Sequence, residues 1–89
     1  MTKNAKMTDL AHSYKSKISY ISPSKIILHE QSARTHSNKQ IRQIANSIET
    51  YGFTNPILID QNNKILAGLG RVKAALLLKL NIVPVVMLN

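Results

Sequence analysis

The sequence predicts an α+β domain with a small mixed sheet and packed helices, and three observations lead there. Four short runs, at 18–21, 57–59, 64–67 and 83–88, are apolar or alternating in the manner of strands. Two longer segments, 37–51 and 72–80, repeat apolar residues on a helical period, and they fall between the strands in the order β, α, β, β, α, β. The length, 89 residues with 44% hydrophobic content, suits one domain and leaves no room for a second.

Residues 1–16 are rich in Lys, Ser, Thr and Asn without a sustained hydrophobic period, and read as a flexible basic tail ahead of a domain at 17–89. Ile18, Tyr20 and Ile21 then alternate with polar neighbours as a strand does, and Pro23, lacking an amide proton, stops it. Ser22 to Leu28 reads as a turn with a short helical or extended piece, and residues 30–36 as a polar loop. Ser37 and Gln40 have the spacing of a capping box, in which each side chain satisfies the other residue's backbone amide, so a helix starts there. Ile41, Ile44, Ala45, Ile48 and Tyr51 follow as one apolar stripe, and Gly52 stands where a left-handed residue ends a helix at little cost.

Ile57-Leu58-Ile59, after Asn55-Pro56, is apolar throughout, as a strand buried on both faces must be. Asp60 to Asn63 supplies turn chemistry before Lys64 to Ala67, so these two runs form a hairpin. Val72, Ala75, Leu76 and Leu80 mark a second helix of about nine or ten residues, with Leu77 and Leu78 widening its buried face and Asn81 ending it. Val83 to Leu88 is the last strand, with Pro84 near its start, where a missing amide is tolerated.

Twelve Lys and Arg face four Asp and Glu, a formal charge of +8, and such a balance favours polyanions such as nucleic acid or nucleotides. Residues 1–16 hold only Lys3, Lys6 and Lys15 against Asp9, so most of the excess belongs to 17–89. The absence of cysteine excludes disulfides, thiolate metal sites and thiol catalysis, and fits a cytoplasmic location. No run has the length of a secretory signal or a membrane span.

The turn Ala67-Gly68-Leu69-Gly70-Arg71 joins a strand to a helix, and it is the place on this chain best suited to a phosphate group. The first amides of a helix have no intrahelical acceptor and carry the positive end of its dipole. Gly68 and Gly70 keep side chains away from those amides, Arg71 adds a guanidinium able to grip two oxygens, and Lys73 adds a second positive charge. The spacing is neither that of a Walker A loop nor that of a dinucleotide fingerprint, whose third glycine would fall at Lys73.

Taken together, Ile18 to Pro23, Ala33-Arg34, Ile44 to Ile48, Tyr51 to Ile57, Ile65 to Arg71 and Val83 to Val86 resemble the N-terminal domain shared by ParB and sulfiredoxin-like proteins, also called the ParB-like nuclease domain superfamily. The resemblance is strongest to the branch found in phages and mobile elements beside DNA methyltransferases, and it covers nearly all of residues 17–88. It implies a nucleotide-phosphate site at Gly68, Leu69, Gly70 and Arg71, flanked by Gly52, Thr54, Asn55 and Pro56, with Arg34 as a further contact. CTP or another nucleotide with Mg2+ is the ligand so implied.

Departures from the family pattern narrow the chemistry. ParB carries Gly-Glu-Arg-Arg at this turn, so Leu69 and Gly70 stand where two polar residues touch phosphate or metal, and binding is expected rather than CTP turnover. Sulfiredoxin needs a cysteine nucleophile at the position of Leu69, which excludes sulfinic acid reduction. A metal-dependent nuclease needs clustered carboxylates or histidines, whereas Asp9, Glu30, Glu49 and Asp60 are scattered. His29, Glu30 and His36 read as solvated loop residues rather than as a metal site.

The function expected is that of a ParB-like, nucleic-acid-associated module with a nucleotide-phosphate-binding turn and without catalytic residues. The helix-turn-helix that reads DNA in ParB proteins would follow this domain, and the sequence stops at Asn89 before it. Expected partners are nucleic acid bound without sequence preference, a nucleotide, a DNA-processing protein or domain, and a second copy in a homodimer, with no membrane. Two alternatives stand beside this reading: a nucleotide-dependent phosphotransferase or NTPase of the same superfamily, and a relic that folds without activity.

Overall fold

The computed structural model describes residues 17–28 and 36–88. The expected tail at 1–16, and Arg34, His29 and Glu30, lie outside the described residues. The elements are β1 (Ile18–Ile21), a 3-10 turn (Pro23–Lys25), α1 (Asn38–Tyr51), β2 (Ile57–Ile59), β3 (Ile65–Ala67), α2 (Leu69–Leu77) and β4 (Val83–Met87). The α+β class and the element order expected from the sequence are both found.

The sheet runs β1-β4-β2-β3. β2 and β3 form the antiparallel hairpin, with Leu58 opposite Ala67. Its turn is built by Asp60, whose Oδ1 accepts from the amides of Asn62 at 2.8 Å and Lys64 at 2.9 Å, while Asn63 takes the left-handed conformation that asparagine tolerates. The chain then crosses through α2 and returns as β4 parallel to β2, with Leu58 opposite Val86. β1 closes the other edge antiparallel to β4, with Tyr20 opposite Pro84. Ile57 and Ile59 are buried on one face of the interior strand so formed, whereas Leu58 on the other face is half-buried, so the burial on both faces expected for this run is only partial.

Two packed clusters hold these elements. The larger joins Ile57, Ile59, Val72, Ala75, Val83 and Val85 between the sheet and α2, with Ile26 and Ile65 beside them. The smaller lies between the helices, where Ile41 and Ala45 of α1 meet Ala74 of α2. The capping box forms in full: Ser37 N donates to Gln40 Oε1 at 2.9 Å and Gln40 N to Ser37 Oγ at 3.2 Å. Gly52 ends α1 with φ of +74° and donates its amide to Ile48 O at 2.7 Å.

Three expectations need correction. The second helix spans Leu69–Leu77 rather than 72–80, because Gly68 rather than a later residue caps it and Lys79, not Asn81, supplies the left-handed exit at φ of +58°. Leu76 and Leu77 are exposed, since the side turned to α1 and the sheet carries Ala74 and Ala75, whose small size lets the backbones approach. Tyr51, expected on the buried stripe, is 77% exposed, the packed part of the stripe ending at Ile48. Among the described residues no helix is long and apolar enough to cross a membrane.

Candidate functional site

The strand-to-helix turn is the start of α2, and its geometry follows from two glycines used for different reasons. Gly68 sits at φ of +100° and ψ of 25° as the helix N-cap, a conformation that any residue with a Cβ resists. It offers no side-chain cap, so no side chain of the turn satisfies the opening amides of α2. Gly70 lies inside the first helical turn and is buried. A Cβ there would stand 2.5 Å from Ile44 Cδ1 and 3.2 Å from His36 Nε2. Its glycine therefore serves the close passage of α1 over α2, rather than the access of phosphate oxygens to the amides that its sequence context suggested.

Arg71 folds back over Gly68 and is half-buried. Its Nη2 donates to Pro56 O at 3.3 Å, and its Nε is buried without a partner. A Cβ on residue 68 would meet Nη2 at 3.0 Å and Nε at 3.3 Å, so Gly68 also makes the room in which the guanidinium lies. The arginine thus sits pinned at the junction of the turn and the Pro56 segment with donors left to offer.

A cavity of about 480 Å³ opens over this turn. Its floor is Gly68, Leu69, Gly70 and Arg71; one wall is Gly52, Phe53 and Thr54 after α1; the other is Ile44, Ser47 and Ile48 of α1 with His36 just before it. Among the described residues Arg71 is the one formally charged side chain in that lining and no carboxylate lines it, so the described surface attracts an anion. Leu69, by contrast, packs partly against the main core as well as lining the cavity.

The structure brings together Gly52, Thr54, Gly68, Leu69, Gly70 and Arg71. Asn55 and Pro56 line a smaller cavity of about 210 Å³, which shares Arg71 with the first. Lys73, on the same helix, lines neither, and Arg34 lies outside the described residues. His36, Ser47 and Ile44 join the site without having been expected there. Ile44 and Ile48 were legible as an apolar stripe, but that their edge faces a glycine turn 20 residues away was not. His36, expected in a solvated loop, is half-buried against Gly70 instead. Among the described residues no group of His, Asp and Glu is arranged to hold a metal ion.

A larger groove of about 570 Å³ lies between β1 and the segment after α1, lined by Tyr20, Phe53, Leu80, Ile82 and Pro84 among others. Among the described residues its lining carries no charged side chain.

Comparison with known proteins agrees with this architecture. A protein from Escherichia coli strain K12, the ParB-like nuclease domain-containing protein YnaK, is 46% identical over 77 residues, which are 86% of this chain and 88% of that protein. Sulfiredoxin from Arabidopsis thaliana superposes with a TM-score of 0.71 at 19% identity, covering 81% of this chain and 84% of that one. The C-terminally truncated partitioning protein ParB from Caulobacter crescentus, crystallised with CTP-γ-S, also superposes with a TM-score of 0.71, at 23% identity and over 81% of this chain. That match takes in 44% of the ParB chain, so this protein spans under half of it. The model of the ParB N-terminal domain matches residues 5–89, and with the mixed sheet and the Gly68 turn in place the chain belongs to the ParB N-terminal domain family.

Proposed function

We propose that this domain binds a nucleoside triphosphate, with CTP the leading ligand, through its phosphates at the Gly68–Arg71 turn, and works as a nucleic-acid-associated binding module rather than an enzyme. The observation that carries the reading is Arg71: a guanidinium held over the uncapped start of α2, in a cavity with no carboxylate among its described lining residues. The cavity volume is that of an ordinary small-ligand site. The ParB of Caulobacter crescentus with its bound CTP analogue shares the fold, which supports the choice of ligand. Asn55, Pro56 and Lys73 are kept as outer contacts for a longer ligand, Asn55 and Pro56 lying across Arg71 from the main cavity.

Calorimetric titration with CTP, ATP and ADP in the presence of Mg2+ tests it. Saturable binding is expected, weakened by about 1–3 kcal/mol in Arg71→Ala, since a charge-assisted hydrogen bond is worth about that much. Wild-type protein that binds none of the three overturns the proposal. Phosphate release measured in the same samples addresses the phosphotransferase or NTPase alternative: turnover abolished by Arg71→Ala would replace the binding module with an enzyme at the same turn.

A further inference from the structure

His36 has an environment that packing alone does not explain. It occupies the residue before the α1 N-cap, where an apolar side chain ordinarily packs onto the fourth helical position, here the buried Ile41. A leucine or phenylalanine would fill that place without a polar atom. The imidazole instead buries Nδ1 with no hydrogen-bond partner among the described residues, while its Nε2 edge stands against Gly70 and lines the cavity of the turn.

The two nitrogens are therefore distinguishable. In the neutral ring one carries the proton and the other a lone pair. A buried N–H without an acceptor is a rarer and costlier arrangement than a buried acceptor without a donor. With the lone pair left on the buried Nδ1, the proton belongs on Nε2, the nitrogen beside Gly70 in a residue that lines the cavity from the α1 side. Arg71 faces it from the α2 side, and its Nε, like His36 Nδ1, is buried without a partner. Two donor-bearing side chains, one on the α1 wall and one on the floor beside the uncapped start of α2, with no carboxylate among the described lining residues, match a group that presents several anionic oxygens at once.

We propose that His36 is a ligand-binding residue of this cavity, donating from Nε2 to a phosphate oxygen held at the Gly68–Arg71 turn and acting as the second jaw opposite Arg71. The inference rests on the phosphate-binding reading above and adds to it which wall grips the phosphates. The glycine at position 70, where a Cβ would stand 3.2 Å from Nε2, leaves the imidazole edge close against the start of α2. Because the contact is to phosphate, it is indifferent to the base.

The experiment compares wild type with His36→Phe, His36→Gln and His36→Asn for binding of CTP and of inorganic tripolyphosphate, with thermal melts of each. Phenylalanine keeps the packing over Gly70 and removes both nitrogens; glutamine places an amide N–H where Nε2 stands, and asparagine places one where Nδ1 stands. His36→Phe is expected to lose about tenfold or more in affinity for both probes, and His36→Asn to match it. His36→Gln should stay within about threefold of wild type. Heteronuclear NMR of the wild-type imidazole should show the Nε2–H tautomer and a shift of Nε2 on adding tripolyphosphate, a response that a purely packing role would not give. Folded His36→Phe protein that binds both probes as wild type does, or equal binding by the glutamine and asparagine variants, overturns the role of His36 while loss in Arg71→Ala keeps the pocket. Absence of binding by wild type itself overturns the phosphate reading and this inference with it.

Discussion

Gly68→Ala is the substitution whose cost the structure resolves into separable parts. The backbone at φ of +100° lies beyond the comfortable left-handed well, and a Cβ in that half of the map costs about 1–2 kcal/mol. The new methyl also meets Arg71 Nη2 at 3.0 Å, Arg71 Nε at 3.3 Å and Ile57 Cγ1 at 3.3 Å. Ile57 is fully buried in the interior strand and has little freedom to retreat, so this crowding adds about 1 kcal/mol or more, the low end for an overpacked site. Together the terms are worth roughly 2–3 kcal/mol, and at about 4–8 °C per kcal/mol for a domain of this size the melting temperature should fall by about 8–24 °C. Two of the three close contacts belong to the guanidinium, so the loss should shrink when it is removed. In a double-mutant cycle with Arg71→Ala, which leaves the Ile57 contact in place, Gly68→Ala should cost about 0.5–1 kcal/mol less than in the wild type. Chemical denaturation of the four proteins, with unchanged m-values as the check on two-state behaviour, measures this. Additivity within about 0.5 kcal/mol would mean that Arg71 does not lie over Gly68 in solution, and the geometry argued for the turn would be wrong.

Ser37→Ala removes one half of the capping box and should lower stability by about 1 kcal/mol in urea denaturation while leaving the turn cavity's nucleotide affinity within about twofold. Ala74→Leu forces a larger side chain into the contact with Ile41 and Ala45, where Ala74 has no exposed surface, and should destabilise by about 1–3 kcal/mol; an unchanged melt would show that the helices part easily. Binding to arbitrary DNA duplexes, expected from the charge of +8, should weaken steeply as salt rises and show no preferred sequence in competition gel shifts. A salt-independent affinity, or none, would remove nucleic acid from the proposed partners.

Local chemistry made much of this protein legible from its sequence. Ser37 and Gln40 are three residues apart, so the start of α1 needs nothing beyond the chain itself. Asp60 organises its own turn through the amides of Asn62 and Lys64, and the hairpin follows from that and the apolar runs on either side. The identity of the turn at Gly68 was equally plain, because a glycine between an apolar strand and an apolar helix has few other uses. What the sequence could not supply was the frame of α2. Gly70 reads as part of a loop by propensity, yet it lies within the helix because Ile44 leaves no room for a side chain there. Leu76 and Leu77 were the more hydrophobic choice for the buried face, but the side turned to α1 carries Ala74 and the side turned to the sheet Ala75, a decision made by how closely the backbones pack.

The site divides in the same way. By itself the sequence determined the floor of the cavity, Gly68 to Arg71, since these residues are contiguous and their chemistry is that of a helix start. Only the tertiary structure decided the walls. Ser47 and His36 reach the floor because α1 crosses α2 at a glycine; Lys73 misses the cavity despite standing two residues from Arg71, because successive helical positions point about 100° apart. Charge and glycine spacing are properties of a segment, while the convergence of His36 and Arg71 on one cavity is a property of how two helices pack.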